Sequence, residues 1–114
     1  GLDARDGRVA VSGWVETSDV SVLDLARQME ALGVRTLICT DIATDGMMVG
    51  PNVASLRALA ETVGIGIIAS GGVSKLDDII ALKALEPLGV IGAITGKALY
   101  EGTLDLAAAI AAAQ

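Results

Sequence analysis

The sequence contains no histidine, one cysteine and only two aromatic residues, Trp14 and Tyr100. Without histidine, and with Cys39 as the single thiol, the usual nitrogen and sulfur ligands of zinc are missing, and no Asp-x-Asp-x-Asp loop supplies a calcium site instead. A metal site is therefore not expected. One cysteine allows no intrachain disulfide, and Cys39 inside an apolar run reads as a small core residue. No run of lysine or arginine occurs and the net charge is −6, so a nucleic-acid surface has neither the field nor the stacking platform it needs. No apolar run reaches ~18 residues and no signal-peptide pattern opens the chain, which makes a soluble cytoplasmic protein without a membrane partner the expectation.

What is present is apolar. Hydrophobic residues make up 53% of the 114 and charged residues 19%, a balance that excludes disorder and demands extensive burial, against the chain's own elements or against another chain. The length suits a single domain, residues 1–114, and is about half of the roughly 250 residues of an eight-unit α/β barrel.

The chain is organised around residues 36–50. Thr36 to Cys39 are β-branched or apolar without alternation, which predicts a parallel strand covered on both faces. The run then breaks into Thr40, Asp41, Thr44 and Asp45, and in α/β sheets ligands bind at the carboxyl ends of strands. On spacing alone, Asp45-Gly46 reads first as a plain turn pair, since Asp-Gly is common in turns and glycine supplies a positive φ.

Around it the chain reads as repeated strand and helix. Gly1-Leu2-Asp3 resembles the tail of a strand, residues 3–7 turn, and Val9-Ala10-Val11 form either a hairpin return or an excursion over a barrel mouth. Trp14, after Gly13 in a loop setting, fits either a core position or a ligand-stacking lid. A helix is predicted from Ser18 or Asp19, with Val22, Leu25, Ala26, Met29 and Leu32 at helical spacing and Gly33 as its stop. Asn52 caps a second helix running to Gly64. Ile65 to Ala69 form the next strand, ending in Ser70-Gly71-Gly72, and Ser74 with Asp77 resembles a capping box for a helix that Pro87 stops near Leu85. Val90 to Thr95 form a last strand, followed by Gly96-Lys97, a short helix to Tyr100, and a helix over residues 104–113 capped by Thr103. Strands ending in glycine at helix starts expose backbone N–H groups, and two such loops side by side can clamp one phosphate.

Six motifs then fall in one order: Gly-Leu-Asp-Ala-Arg-Asp-Gly (1–7), Gly-Trp (13–14), Thr-Asp-Ile-Ala-Thr-Asp-Gly (40–46), Gly-Pro-Asn (50–52), Ala-Ser-Gly-Gly-Val-Ser (69–74) and Gly-Lys-Ala-Leu-Tyr (96–100). Together they resemble the C-terminal half of the histidine-biosynthesis isomerase family that acts on ProFAR, phosphoribosylformimino-aminoimidazole carboxamide ribotide. The resemblance spans essentially the whole chain, and the ordered set is specific although each motif alone is weak. It implies the C-terminal half of a (β/α)8 TIM barrel, with four βα units and a truncated first strand. It also implies an Amadori rearrangement of a phosphorylated aminoaldose to an aminoketose, with no metal or organic cofactor.

By matching motif, the resemblance makes Asp3 the general acid that opens the ribose ring. Thr40 and Asp45 become residues that orient substrate and acid, and Trp14 a mobile-loop residue stacking on substrate. Ser70, Gly71, Gly72, Gly96 and Lys97 form the cradle for one of two phosphates. The family's base stands on its first strand, so the expected partner is an N-terminal half-barrel or a second copy of this chain. Three other readings stay open. One is a dual-substrate isomerase that also takes phosphoribosylanthranilate. Another is the sister cyclase, against which Gly13-Trp14 and residues 96–99 speak. The third is a non-catalytic half-barrel scaffold that only binds phosphate.

Overall fold

The structure, a computed structural model, describes residues 1–11, 13 and 16–114. Four strands lie parallel in chain order, β1 (Leu2–Arg5), β4 (Thr36–Asp41), β5 (Gly66–Ser70) and β6 (Val90–Ile94), and an antiparallel pair, β2 (Arg8–Val11) and β3 (Glu16–Ser21), extends the sheet beyond β1. Helices α1 (Val22–Ala31), α2 (Val53–Thr62) and α3 (Leu76–Lys83) return the chain from one strand of the parallel set to the next. The short α4 (Lys97–Glu101) and α5 (Leu106–Ala113) follow β6. The fold is thus α/β with a mostly parallel sheet. Parallel crossovers of one hand in one direction put their helices on one side of the sheet. One core cluster contains Leu37 and Cys39 of β4, Ile67 and Ala69 of β5, Ala26 of α1, Leu59 of α2, Leu82 of α3 and Ala109 of α5. Burial of a leucine such as Leu59, 1% exposed, contributes about 1.5–3 kcal/mol.

Several expectations shift. Residues 3–7 are not all turn: β1 continues through Arg5, and only Asp6 and Gly7 turn, with φ of 52° and 79° as a type I′ hairpin requires. Arg5 pairs with Arg8, so the excursion is a hairpin return. Asp3 is accordingly the second residue of its strand, not the last. The helix expected from Ser18 or Asp19 starts at Val22 with Ser21 as its cap, because residues 16–21 are drawn into the ladder with β2. At the start of α3 the cap is Lys75, one residue later than expected, and the reciprocal carboxylate is Asp78 rather than Asp77. Thr103 does not cap α5; Asp105 does, accepting from the Ala108 N–H at 2.9 Å, while the Thr103 hydroxyl donates to the Ser74 carbonyl at 2.6 Å. Leu104 has turned into the core, 4% exposed, and the helix begins beyond it. The caps at Asn52 and Gly33 fall where predicted: Asn52 accepts from the Ser55 N–H at 3.1 Å, and Gly33 has φ +97° after α1.

The largest correction concerns coverage. β4 is not covered on both faces: Leu37 and Cys39 are buried while Thr36 and Ile38 are exposed, so burial alternates along it. The molecule is 20 Å across its shortest axis, the thickness of one sheet and one helix layer. The side of the sheet away from the helices carries Ile38, and exposed Ile91 and Ile94 stand on the edge strand β6. An uncovered apolar sheet face with an open edge favours association. The purified chain is expected to self-associate at micromolar concentration; sedimentation equilibrium checks this, and a well-behaved monomer would contradict it. Among the described residues no helix is long and apolar enough to cross a membrane.

Candidate active site

Strand pairing builds the first part of the site. Asp3 is in register with Thr40, Thr40 with Ser70, and Ser70 with Ile94, so one row crosses all four parallel strands. Parallel strands in register point their paired residues the same way, and alternation puts this row on the face opposite buried Leu2, Cys39 and Ala69. At about 4.8 Å per strand, Asp3 and Ser70 lie within about 10 Å of each other. Asp3, Thr40 and Ser70 are each half-buried, reachable without being fully solvated.

Three loops at the carboxyl ends of β4, β5 and β6 add the second part. They enclose a cavity of about 300 Å³ lined by Asp45, Gly46 and Met48 from the first, Ser70 to Val73 from the second, and Thr95 to Lys97 from the third. Gly71, Gly72, Gly96 and Lys97, separated in sequence by up to 26 positions, therefore line one cavity. Among the described residues, the N–H groups of Gly72, Val73 and Gly96 donate to no backbone or side-chain acceptor. The donors at the start of α3 are by contrast occupied: the Asp78 carboxylate accepts from the Ser74 N–H at 2.9 Å, the Ser74 hydroxyl at 2.9 Å and the Lys75 N–H at 3.1 Å. The Asp78 carboxylate thus fills the two backbone donors that lead into α3, while those of Gly72, Val73 and Gly96 are left open toward the cavity.

Close backbone contact holds the loops together. Gly50 donates its N–H to the Gly72 carbonyl at 3.0 Å. A Cβ on Gly71 would come within 2.6 Å of the Asp41 carbonyl oxygen, and one on Gly72 within 2.5 Å of the Gly50 carbonyl oxygen and 2.9 Å of the Thr44 Cβ. From the third loop, Lys97 Nζ donates to the Gly46 carbonyl at 3.3 Å, and the Thr95 hydroxyl donates to the Val73 carbonyl at 3.3 Å.

Two carboxylate-loop candidates have other tasks. Asp41 follows Thr40 and so points to the helix side, where its Oδ1 accepts from the Ala43 N–H at 3.0 Å. The Thr44 hydroxyl donates to the Asp41 carbonyl at 3.2 Å, a turn contact. Trp14 lies outside the described residues. Met48 went unrecognised in the sequence, yet it lines the cavity with φ +58°, a strained value for a side chain of its size. Nothing in its neighbourhood signals that geometry except the flanking Gly46 and Gly50. Among the described residues no three His, Cys, Asp or Glu side chains gather as a metal cluster.

Residues 1–105 match the protein family described as histidine biosynthesis protein. This chain belongs to that family. Among its curated relatives, three bear the name 1-(5-phosphoribosyl)-5-((5-phosphoribosylamino)methylideneamino)imidazole-4-carboxamide isomerase. The one from a Synechococcus species is 54% identical over 98% of this chain and 44% of its own length. That from Syntrophomonas wolfei is 55% identical over 100% of this chain and 47% of its own length. The third, from Geobacter sulfurreducens, is 56% identical over 97% of this chain and 46% of its own. The chain thus spans about half the length of the histidine-biosynthesis isomerases it matches.

Within this family member Cys39 sits apart from the cavity, in the wall of a second hollow of about 190 Å³ between α1, α2 and the sheet. Burial first, then the negative charges of Asp41 and Asp3, push its thiol from an ordinary 9.0 up to about 11. Below pH 9 the thiol is protonated in both folded and unfolded chains. As pH rises from 9 toward 11 only the unfolded chain ionises, so the folded state loses stability over that window. At pH 8 the two-unit difference leaves about 100-fold less thiolate in the folded chain, and iodoacetamide should label Cys39 at least that much more slowly than in urea. Equal labelling rates would contradict the assignment.

Proposed function

We propose that this chain forms the acid-carrying, phosphate-binding half of a ProFAR isomerase, as the C-terminal half of a (β/α)8 barrel. The observation that carries the reading is the row Asp3–Thr40–Ser70 running into a cavity walled by Gly71, Gly72, Gly96 and Lys97. The relatives' name describes a compound with two phosphoribosyl groups, and the cradle at the β5 and β6 loops takes one of those phosphates.

In this reading the phosphate anchors the sugar so that its ring oxygen reaches Asp3. Asp3 donates a proton to that oxygen as the ring opens to a Schiff base, and a carboxylate from the completing half removes the C2 proton, giving the aminoketose after rearrangement. Acid and base on opposite sides of one sugar need only carboxyl groups held in different environments. Thr40 orients the acid and substrate from the neighbouring strand, and Asp45 does so from the loop at the cavity rim. Trp14 stacks on the substrate in the same scheme. The uncovered sheet face is where the completing half-barrel packs, or a second copy of the chain in its absence.

The test is ProFAR turnover by the purified chain, alone and mixed with a separately made N-terminal half. Turnover that appears on mixing and vanishes with Asp3→Asn supports the proposal. A mixture that assembles yet stays inactive favours the phosphate-binding scaffold instead.

A further inference from the structure

Among the described residues, the cavity is lined by one cationic side chain, Lys97, and one anionic side chain, Asp45. Lys97 Nζ, on the third loop, donates to the carbonyl of Gly46, the residue after Asp45, across 51 positions of sequence. An ammonium has three donors, and the Gly46 carbonyl uses one, which leaves two for oxygens of an anion in the same hollow. The loop it reaches carries the strained Met48, is turned on itself by the Asp45 N–H to Asp41 carbonyl and Met47 N–H to Thr44 carbonyl hydrogen bonds, both 3.0 Å, and is fastened to the second loop by the Gly50 to Gly72 hydrogen bond, so Lys97 supplies the contact that ties its middle to the third loop.

We propose that Lys97 is a positioning residue that couples phosphate occupancy of the cradle to the placement of Asp45. It rests on the phosphate cradle proposed above. An anion between the loops draws the Lys97 ammonium toward it, and because the same nitrogen holds the Gly46 carbonyl, the loop is fixed with Asp45 facing the row of Asp3 and Thr40. Without the anion, Lys97 is a long exposed side chain making one hydrogen bond at 3.3 Å, a weak tether between the first loop and the third. Substrate phosphate thus arranges a residue that acts on the sugar, so remote binding energy is used near the reacting atoms.

Inorganic phosphate, titrated into the isotope-labelled chain and followed through amide NMR shifts, tests this. In the unsubstituted chain the amides of Gly72, Val73 and Gly96 and those of Asp45 to Met47 should move together along one binding curve. In Lys97→Met, which keeps the length and removes the charge, the glycine-loop amides should still move, with affinity weakened roughly 3- to 10-fold, while the response at Asp45 to Met47 is lost. Lys97→Arg, which restores charge and donors, should recover most of that response. A response at Asp45 to Met47 in Lys97→Met as large as in the unsubstituted chain would overturn the coupling and leave the cradle standing. No movement of Gly72, Val73 or Gly96 in the unsubstituted chain would overturn both.

Discussion

Replacing Gly72 with valine is expected to abolish phosphate binding and to cost the fold roughly 2–4 kcal/mol, a large share of the stability of a domain this size. Two independent penalties combine. Gly72 has φ +79°, which a β-branched residue adopts only under strain of order 1–3 kcal/mol. A Cβ there would also stand 2.5 Å from the Gly50 carbonyl oxygen, a backbone atom fixed by its own hydrogen-bonded neighbour and unable to swing aside as a flexible side chain would. Relief requires the loop after β4 to move away from the loop after β5, which opens the wall of the cavity. Gly71→Ala should behave similarly, since its Cβ would lie 2.6 Å from the Asp41 carbonyl oxygen at φ +99°. Gly96, with open space around its Cβ position and ordinary negative φ, should tolerate alanine with little loss of stability. Urea unfolding of the three variants, with phosphate binding measured on each, checks the ranking; a Gly72→Val chain as stable as the original would contradict the loop packing.

The second large effect concerns Asp3. In a barrel completed by an N-terminal half, Asp3→Asn should lower kcat by roughly 10²–10⁴-fold, the range for losing a general acid. KM should stay within about threefold, because the amide keeps the shape of the carboxyl group. Asparagine also preserves hydrogen-bonding capacity at a half-buried position, so the loss is one of chemistry and not of folding. Steady-state kinetics on the completed enzyme decide the matter. A variant with near-normal kcat would remove Asp3 from the acid role, whereas a rise in KM at unchanged kcat would make it a binding residue.

Three of the four parallel strands were legible because Leu37 to Cys39, Ile65 to Ala69 and Val90 to Ile94 are compact apolar runs bounded by glycine and polar residues. The glycine loops were legible for the same reason: punctuation at strand ends is a local signal. β3 was not. Its residues, Glu-Thr-Ser-Asp-Val-Ser, carry one apolar side chain in six, and what makes them a strand is their antiparallel pairing with β2. Ser18, which looked like a helix cap, instead donates its hydroxyl to the Val9 carbonyl at 2.7 Å, a contact with no trace in the local sequence.

At the site the pattern was similar. Thr40 and Asp41 looked equivalent in the local pattern and were told apart by the family resemblance; a period of two separates them onto opposite faces, and the register with Asp3 and Ser70 puts Thr40 on the cavity row. The displacement of the α3 cap from Ser74 to Lys75 brings Asp78, not Asp77, back over the loop, and this fills donors that the sequence left available to an anion. The local pattern of β4 did not show that one of its faces stands uncovered, since an apolar run of three residues has the same appearance whether one side or both are packed.

The central claim is that the loops after β5 and β6 form one phosphate cradle at the end of the Asp3–Thr40–Ser70 row. Titration of the chain with inorganic phosphate, read residue by residue from amide shifts, addresses it directly. Saturable shifts confined to residues 71–73, 96–97 and the adjoining 45–47, abolished in Gly72→Val, are the expected result. Saturable shifts centred elsewhere, with residues 71–73 and 96–97 unmoved, would contradict it.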